Sequence, residues 1–276
     1  MSSPIVSVVV PCWNAGEFLD GLCECLDAQT FRDFETIVVD DGSTDPATLD
    51  RLDKLSSSIR LMRQENRGLS GARNSGFREA EGEFVFPLDC DDRIEPDFLL
   101  RGVERLHANP DIDFVFSHMR LVGARDGILE RRFNRFDQLF LNQLAYALLM
   151  RRSAWARVGG YDETMRDGYE DWDFNLRLIR SGSSGGLIPD ALLVYRVAEG
   201  GMLLSKSARK HGELWSRIRS KHPEAYGARS LLALSRAEGR GKVSVLAAAA
   251  LLAAARLLPV EVMGRLYQAV LVNRAR

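Results

Sequence analysis

Two alternating patterns of apolar residues run along the first half of the chain. Ile5–Val10 (IVSVVV) is short, rich in β-branched residues and almost continuously apolar, as expected of a strand buried on both faces in a parallel sheet. Phe34–Val39 (FETIVV) and Glu83–Leu88 (EFVFPL) repeat that signature, and Ile59–Met62 (IRLM) is a weaker case. Between these runs Phe18, Leu22 and Leu26, then Leu49, Leu52 and Leu55, recur at helical spacing. Pro96 stands at a helix start, followed by Phe98, Leu99, Val103 and Leu106. Strands alternating with helices predict an α/β fold with a parallel sheet.

The second half is less regular. Asp113–His118 (DFVFSH) and Ala191–Val197 (ALLVYRV) read as strands. Asp171–Gly182 reads as a helix, with Trp172, Leu176 and Ile179 on one face and a glycine at its end. Arg131–Met150 mixes arginines with aromatics ahead of an apolar run, which suits the lining of a cleft or a packed helix. From about Ser205 the pattern turns helical, basic and rich in Ala and Leu. Val243–Ala255 is apolar but falls short of the ~20 residues that span a bilayer. It fits either a packed helix or one lying in a membrane interface.

Composition changes this picture in two places. The 276 residues, 46% hydrophobic and 27% charged, allow one large domain with a sizeable core, or one domain with an appendage. The net charge of −1 hides an asymmetry: residues 208–276 hold 13 Lys/Arg against 4 Asp/Glu, a formal +9, which leaves −10 on residues 1–207. A basic end on an acidic body favours an anionic surface as partner, and the expected division is 1–205 and 206–276. The acidic body argues against nucleic acid. Cys12, Cys23, Cys25 and Cys90 fit no zinc spacing and are expected to be reduced thiols. Ser2–Pro4 leads straight into the first strand without a secretory signal, so a cytoplasmic location is expected, with peripheral attachment to the inner face of the membrane as an option.

In open α/β sheets ligands bind beyond the carboxyl ends of the strands. Here those ends read PCWN, DDGSTD and DCDD. Each alone makes an ordinary turn. The last is the most demanding, because Asp89, Asp91 and Asp92 repel one another unless protons or a cation intervene. Mg²⁺ and Mn²⁺ take oxygen ligands, and Mg²⁺ is commonly held by one or two carboxylates with substrate phosphates completing its shell. The competing reading is a capping turn before Pro96.

Four segments add context: Val6–Leu19, Gln29–Asp45, Asn66–Asp92 (NRGLSGARNSGFREAEGEFVFPLDCDD) and Arg151–Leu178 (RRSAWARVGGYDETMRDGYEDWDFNLRL). Together, and in this order over about residues 4–205, they resemble the family 2 inverting glycosyltransferases. That resemblance implies a GT-A (Rossmann-like) fold, with a mostly parallel central sheet flanked by helices and here a C-terminal helical extension. It implies that Pro11 and Trp13 border the nucleobase, that Asn14 shapes their loop, and that Asp41 accepts a hydrogen bond from the base. Arg73 would sit near the nucleotide and Asp89 near the ribose. Asp91, with Asp92 beside it, would hold a divalent metal (Mn²⁺ or Mg²⁺) at the diphosphate. Asp171 would be the catalytic base, with Glu170 and Trp172 on the acceptor side. Asp173 reads as a solvated first-turn acid, and Arg67 and Arg73 are also compatible with plain surface charge.

The implied partners are a nucleoside-diphosphate sugar, a UDP-sugar foremost, and a glycan or lipid-linked acceptor in surface polysaccharide assembly. One departure stands out: many members carry a metal-ligating His two residues after a Tyr-Arg pair, and this chain has Ala198 there. Either Asp91 and the phosphates suffice, or Glu199 moves in, or metal dependence is weakened. A nucleotidyltransferase, or a non-catalytic nucleotide-sugar-binding protein of the same fold, is the alternative.

Overall fold

The computed structural model describes residues 3–198, 210–239 and 241–259, together with Val262, Met263 and Tyr267. Its first part alternates as the apolar runs predict: β1 (Val6–Cys12), α1 (Leu19–Asp27), β2 (Phe34–Asp40), α2 (Pro46–Asp53), β3 (Ile59–Arg63), α3 (Gly68–Glu79) and β4 (Phe84–Pro87). β1 lies between β2 and β4, parallel to both, with Val6 opposite Phe34 on one side and Phe84 on the other. All seven of its residues are buried, which is why its sequence shows no polar alternation. Asp45 caps α2 by accepting from Thr48 N, and Pro46 supplies the first helical residue.

A short strand β5 (Arg93–Ile94) precedes α4 (Phe98–Ala108), β6 (Phe114–Gly123), β7 (Gly127–Leu129), β8 (Leu149–Arg151), α5 (Arg152–Arg157), α6 (Glu170–Arg180) and β9 (Gly185–Val197). One sheet results, in the order β3-β2-β1-β4-β8-β6-β9-β5, with β7 paired to β6. β8 runs antiparallel between β4 and β6, and joins the parallel strands of the first half to the second half. The α/β architecture with its flanking helices is therefore as expected.

Four local features differ from the sequence reading. The helix expected at Pro96 begins at Phe98. β9 starts six residues before Ala191, at Gly185, where a Cβ would lie 2.2 Å from the Phe114 ring. Arg131–Met150 is mostly irregular, with a single 3₁₀ turn at Asp137–Leu139 before β8. And α3 went unread: its buried side is made of Ser70, Ala72, Arg73 and Asn74 beside Phe77. Its Gly76 presses so closely on the sheet that a Cβ would meet Val9 Cγ1 at 2.3 Å.

Beyond residue 209 come α7 (His211–Lys221), α8 (Ala228–Glu238) and α9 (Val245–Leu257). They share a core with the preceding part of the chain: Trp215, Ile218, Leu231, Val243 and Leu251 cluster with Phe136, Phe140, Trp172 and Leu176. No helix among the described residues is long and apolar enough to cross a membrane.

Candidate active site

The carboxyl ends of β1, β2 and β4 and the start of α6 surround a cleft of about 530 Å³, with Trp13, Asp41, Ser70, Asp89, Asp91 and Glu170 on its walls. A larger hollow of about 740 Å³ lies beside α1 and α2. Of the charged residues that line it, Arg51 pairs with Asp20 and Lys54 with Asp50, and Arg32 donates to the Asp27 backbone carbonyl.

On the β1 side, Pro11 is buried and its carbonyl accepts from Cys90 Sγ at 3.2 Å, while Trp13 projects into the cleft 58% exposed. Asn14 between Trp13 and α1 adopts a left-handed backbone, φ 49°. Its Oδ1 accepts from Thr44 N at 2.8 Å and Asp45 N at 2.9 Å, tying the loops after β1 and β2 together. Asp41 is buried and accepts from Gln64 Nε2 at 2.6 Å, Arg67 N at 2.8 Å and Gly68 N at 2.7 Å. It thus holds the start of α3 in place, and a carboxylate with about four acceptor positions keeps one to offer.

Arg73 links the two sides. Only 1% exposed, its Nη2 donates to both oxygens of Asp89 at 2.8 and 3.0 Å, and its Nη1 donates to Glu170 Oε1 at 3.2 Å. The guanidinium lies 4.7 Å over the Tyr146 ring and 5.4 Å from that of Tyr161. Despite burial, Asp89 and Glu170 hold it firmly charged. The surface-charge alternative therefore fails for Arg73, whereas Arg67 is exposed and pairs with Glu163 at 2.6 Å.

The three acids after β4 have separate environments. Asp89 is paired with Arg73. Asp92 is 1% exposed, accepting from Tyr146 Oη at 2.6 Å and Arg196 N at 2.8 Å. Burial, then the charge of Asp89, push its carboxyl well above the usual range. The expectation that Asp92 ligates a metal is corrected: its oxygens serve Tyr146 and the β9 backbone, away from the cleft wall. Asp91 does line the cleft, and burial followed by Asp89 raises its carboxyl. The cation it meets is the Arg196 guanidinium, at a loose 3.7 Å. Ala198 ends this strand region and offers no ligand, while Glu199 lies outside the described residues. Among the described residues no three His, Cys, Asp or Glu side chains are grouped to enclose a metal. The donors present fit a cation held by Asp91 and completed by phosphate oxygens.

Across the cleft Tyr169 takes a left-handed backbone, φ 63°, immediately before α6. Such a conformation is costly for a bulky residue and is tolerated where surrounding contacts fix it. Here its hydroxyl is hydrogen-bonded to His211 Nδ1 at 2.7 Å and its ring packs edge-on to Trp172. Glu170 and Asp171 follow. Burial, then Asp171, push Glu170 up to about 7, with Arg73 opposing. Burial also raises Asp171, opposed by Asn142 Nδ2, which donates to its Oδ2 at 2.9 Å.

Trp172 is not at the acceptor surface. It is 1% exposed in the core shared with α7, and its indole N–H donates to the Gln138 carbonyl at 2.7 Å. Asp173 is not solvated either: fully buried, it accepts from Lys221 at 2.6 Å, Arg177 at 2.9 Å and His222 at 3.0 Å.

Sequence reasoning missed Tyr146, Asn142, Arg196 and Glu163, which hold the acids or, as Glu163 does, tie Arg67, Asn74 and Arg78 to the loop before α6. Tyr146 carried a readable signal: a phenol inside the apolar run LAYALLM needs a polar partner once buried.

This geometry has relatives. The sequence profile described as Glycosyl transferase family 2 matches residues 7–158, over half of the chain. A putative glycosyltransferase, EpsH of Bacillus subtilis, is 38% identical over 100 residues, 36% of this chain and 29% of that protein. Chondroitin synthase of Pasteurella multocida is 26% identical over 188 residues, 65% of this chain and 19% of that protein. The chain thus spans well under two thirds of these relatives. In structure it is similar to S. aureus TarS 1-349 in complex with UDP-GlcNAc (TM-score 0.66, 24% identity, 79% of this chain and 66% of that one). It is also similar to the mannosyltransferase PcManGT from Pyrobaculum calidifontis in complex with GDP-Man and Mn²⁺ (TM-score 0.59, 22% identity, 100% and 87%). The fold is thus that of the GT-A glycosyltransferases, and the chain belongs to glycosyl transferase family 2.

Proposed function

We propose that this glycosyltransferase moves a sugar from a nucleoside diphosphate to an acceptor hydroxyl in one step, inverting the anomeric carbon. The observation that carries the reading is the Arg73 bridge: one buried guanidinium grips Asp89 on the donor side and Glu170 beside the base on the acceptor side. The Trp13 ring offers a face to the nucleobase and Asp41 an acceptor to its edge. Asp91 would hold Mn²⁺ or Mg²⁺, which when bound neutralises charge on the departing diphosphate.

Asp171 takes the acceptor's proton as the acceptor oxygen bonds to the anomeric carbon. The bond from that carbon to the phosphate oxygen breaks, and its electron pair leaves with the nucleoside diphosphate. Asn142 Nδ2 donates to one oxygen of Asp171 and the Trp172 backbone N–H, at 2.7 Å, to the other, which fixes the carboxylate for that transfer. A UDP-sugar donor and a role in glycan assembly at the cell surface are supported by the relatives: one neighbour is solved with UDP-GlcNAc, and another relative is a chondroitin synthase.

The test is a panel of nucleotide sugars with Mn²⁺ or Mg²⁺, scored for nucleoside diphosphate; pyrophosphate instead would indicate nucleotidyl transfer. Asp171→Asn should lose transfer yet bind donor, and Asp91→Ala should lose transfer. Wild-type turnover by Asp171→Asn would refute Asp171 as the base.

A further inference from the structure

We propose that the outward face of α9 docks the protein on an anionic lipid surface. α9 is apolar on both sides. Its inner side, Ala248 and Leu251, is buried in the core with Trp215 and Trp172. Its outer side carries Leu246 and Leu257, 83% and 82% exposed, with exposed Ala249, Ala250 and Ala253 between them. These positions form one stripe at helical spacing, and a surface helix normally turns charged residues that way. Leu232 of α8 adds a third large apolar side chain, 46% exposed.

The surrounding charge identifies the occupant. Exposed Lys242 precedes α9, exposed Arg256 lies in its last turn, and exposed Arg229 and Arg236 lie on α8. No acidic residue occurs from Gly239 to Pro259, and the one acid of α8, Glu238, is taken by Arg135 at 2.5 Å. The bases of α7, and Lys210 just before it, are engaged within the fold: Lys210 on Asp167, Arg217 on Thr164, Lys221 on Asp162 and Asp173, and Arg219 over the Trp215 ring. Among the described residues of α8 and α9 and the turn between them, the bases Arg229, Arg236, Lys242 and Arg256 are therefore all exposed to solvent. Apolar side chains framed by bases match an interface of acyl chains and anionic headgroups. A second copy packing on the same face would instead bring these bases against their like. At 13 residues α9 lies in the interface rather than across it. Because α9 and Trp172 of α6 belong to one core, docking would fix the catalytic half relative to the lipid, whatever sugar is moved.

The test uses the full chain with phosphatidylcholine vesicles, with and without phosphatidylglycerol, read by flotation. Binding is expected with phosphatidylglycerol, and should fall roughly tenfold without it or in about 0.5 M salt, where charge is screened within a few ångströms. Leu246→Asp/Leu257→Asp should bind roughly a hundredfold more weakly, since two exposed apolar anchors are removed without touching the core. Lys242→Glu/Arg256→Glu should lose the preference for phosphatidylglycerol. Both variants should keep wild-type release of nucleoside diphosphate with a water-soluble acceptor. Failure of the wild type to float at low salt, or undiminished binding by the leucine variant, would overturn the proposal. So would a dimer in light scattering that the leucine variant dissolves.

Discussion

Asp173→Asn isolates what the C-terminal helices do for α6, which carries the proposed base. The wild-type carboxylate is fully buried and meets Lys221 at 2.6 Å, Arg177 at 2.9 Å and His222 at 3.0 Å. Removing one partner of a buried ion pair costs about 3–5 kcal/mol. Here the loss is smaller, because Arg177 keeps the Val158 and Gly160 carbonyls at 2.7 and 2.5 Å and Lys221 keeps Asp162 at 2.6 Å. We expect about 2–3 kcal/mol, or a fall in Tm of roughly 3–5 °C.

The pH dependence has a definite sign. Burial alone would raise this carboxyl, but the bond from His222 and the charges of Arg177 and Lys221 hold it well below the usual range. Its stabilisation is therefore full above the unfolded value and lost as pH falls through the depressed folded one. Urea unfolding followed by circular dichroism should show the gap between wild type and Asp173→Asn closing from about pH 4 downward. Since Asp173 sits in the first turn with Asp171, kcat should fall while donor affinity by calorimetry stays put. An unchanged Tm at neutral pH, or a gap that persists in acid, would refute the reasoning.

Three further outcomes follow from the site. Tyr146→Phe removes the donor to Asp92 and the acceptor for Asp89 N, at 2.6 and 3.1 Å, so stability should drop by about 1–3 kcal/mol in thermal unfolding. The same variant should bind donor more weakly in calorimetry. Because burial raises Asp171, the acidic limb of kcat/KM should lie above the ordinary aspartate value if Asp171 is the base proposed, since that base works only when deprotonated. A pH profile of nucleoside diphosphate release by the wild type measures it, and a limb at the ordinary aspartate value would count against Asp171 as the base. Excess chelator should abolish transfer and added Mn²⁺ restore it, read by the same release assay; undiminished turnover would mean that Asp91 acts without a metal.

The parts of this protein that were legible in sequence are those where burial and apolarity coincide. β1, β2 and β4 are buried in a sheet covered on both sides, so their residues announce themselves. The face formed by Trp172, Leu176 and Ile179 was equally plain, and it was the sound guide to Trp172, which lies in the core and not at the acceptor. α3 was illegible because its buried side chains are polar. Arg73 and Asn74 are paid for by partners far along the chain: Asp89, Glu170, the Tyr161 carbonyl and Glu163. Asp173 was misread for the same reason, since the bases that let it be buried belong to residues 221 and 222 as well as to its own helix. Local pattern cannot show a pairing made across the fold.

The DCDD turn shows how such pairings allocate chemistry among chemically identical side chains. Three carboxylates in four residues repel, and the fold answers each separately. Asp89 receives the two-pronged bond of Arg73, and Asp92 is turned inward onto Tyr146 and the β9 backbone. Asp91 is left with a guanidinium at 3.7 Å that is itself 42% exposed and engaged over the Phe18 ring. That pairing is worth little in water. The uncompensated charge of the turn is thereby concentrated on one oxygen pair at the cleft wall. Under the proposed function that is where a divalent cation gains most, because Asp89 and Asp92 hold no free charge to compete for it.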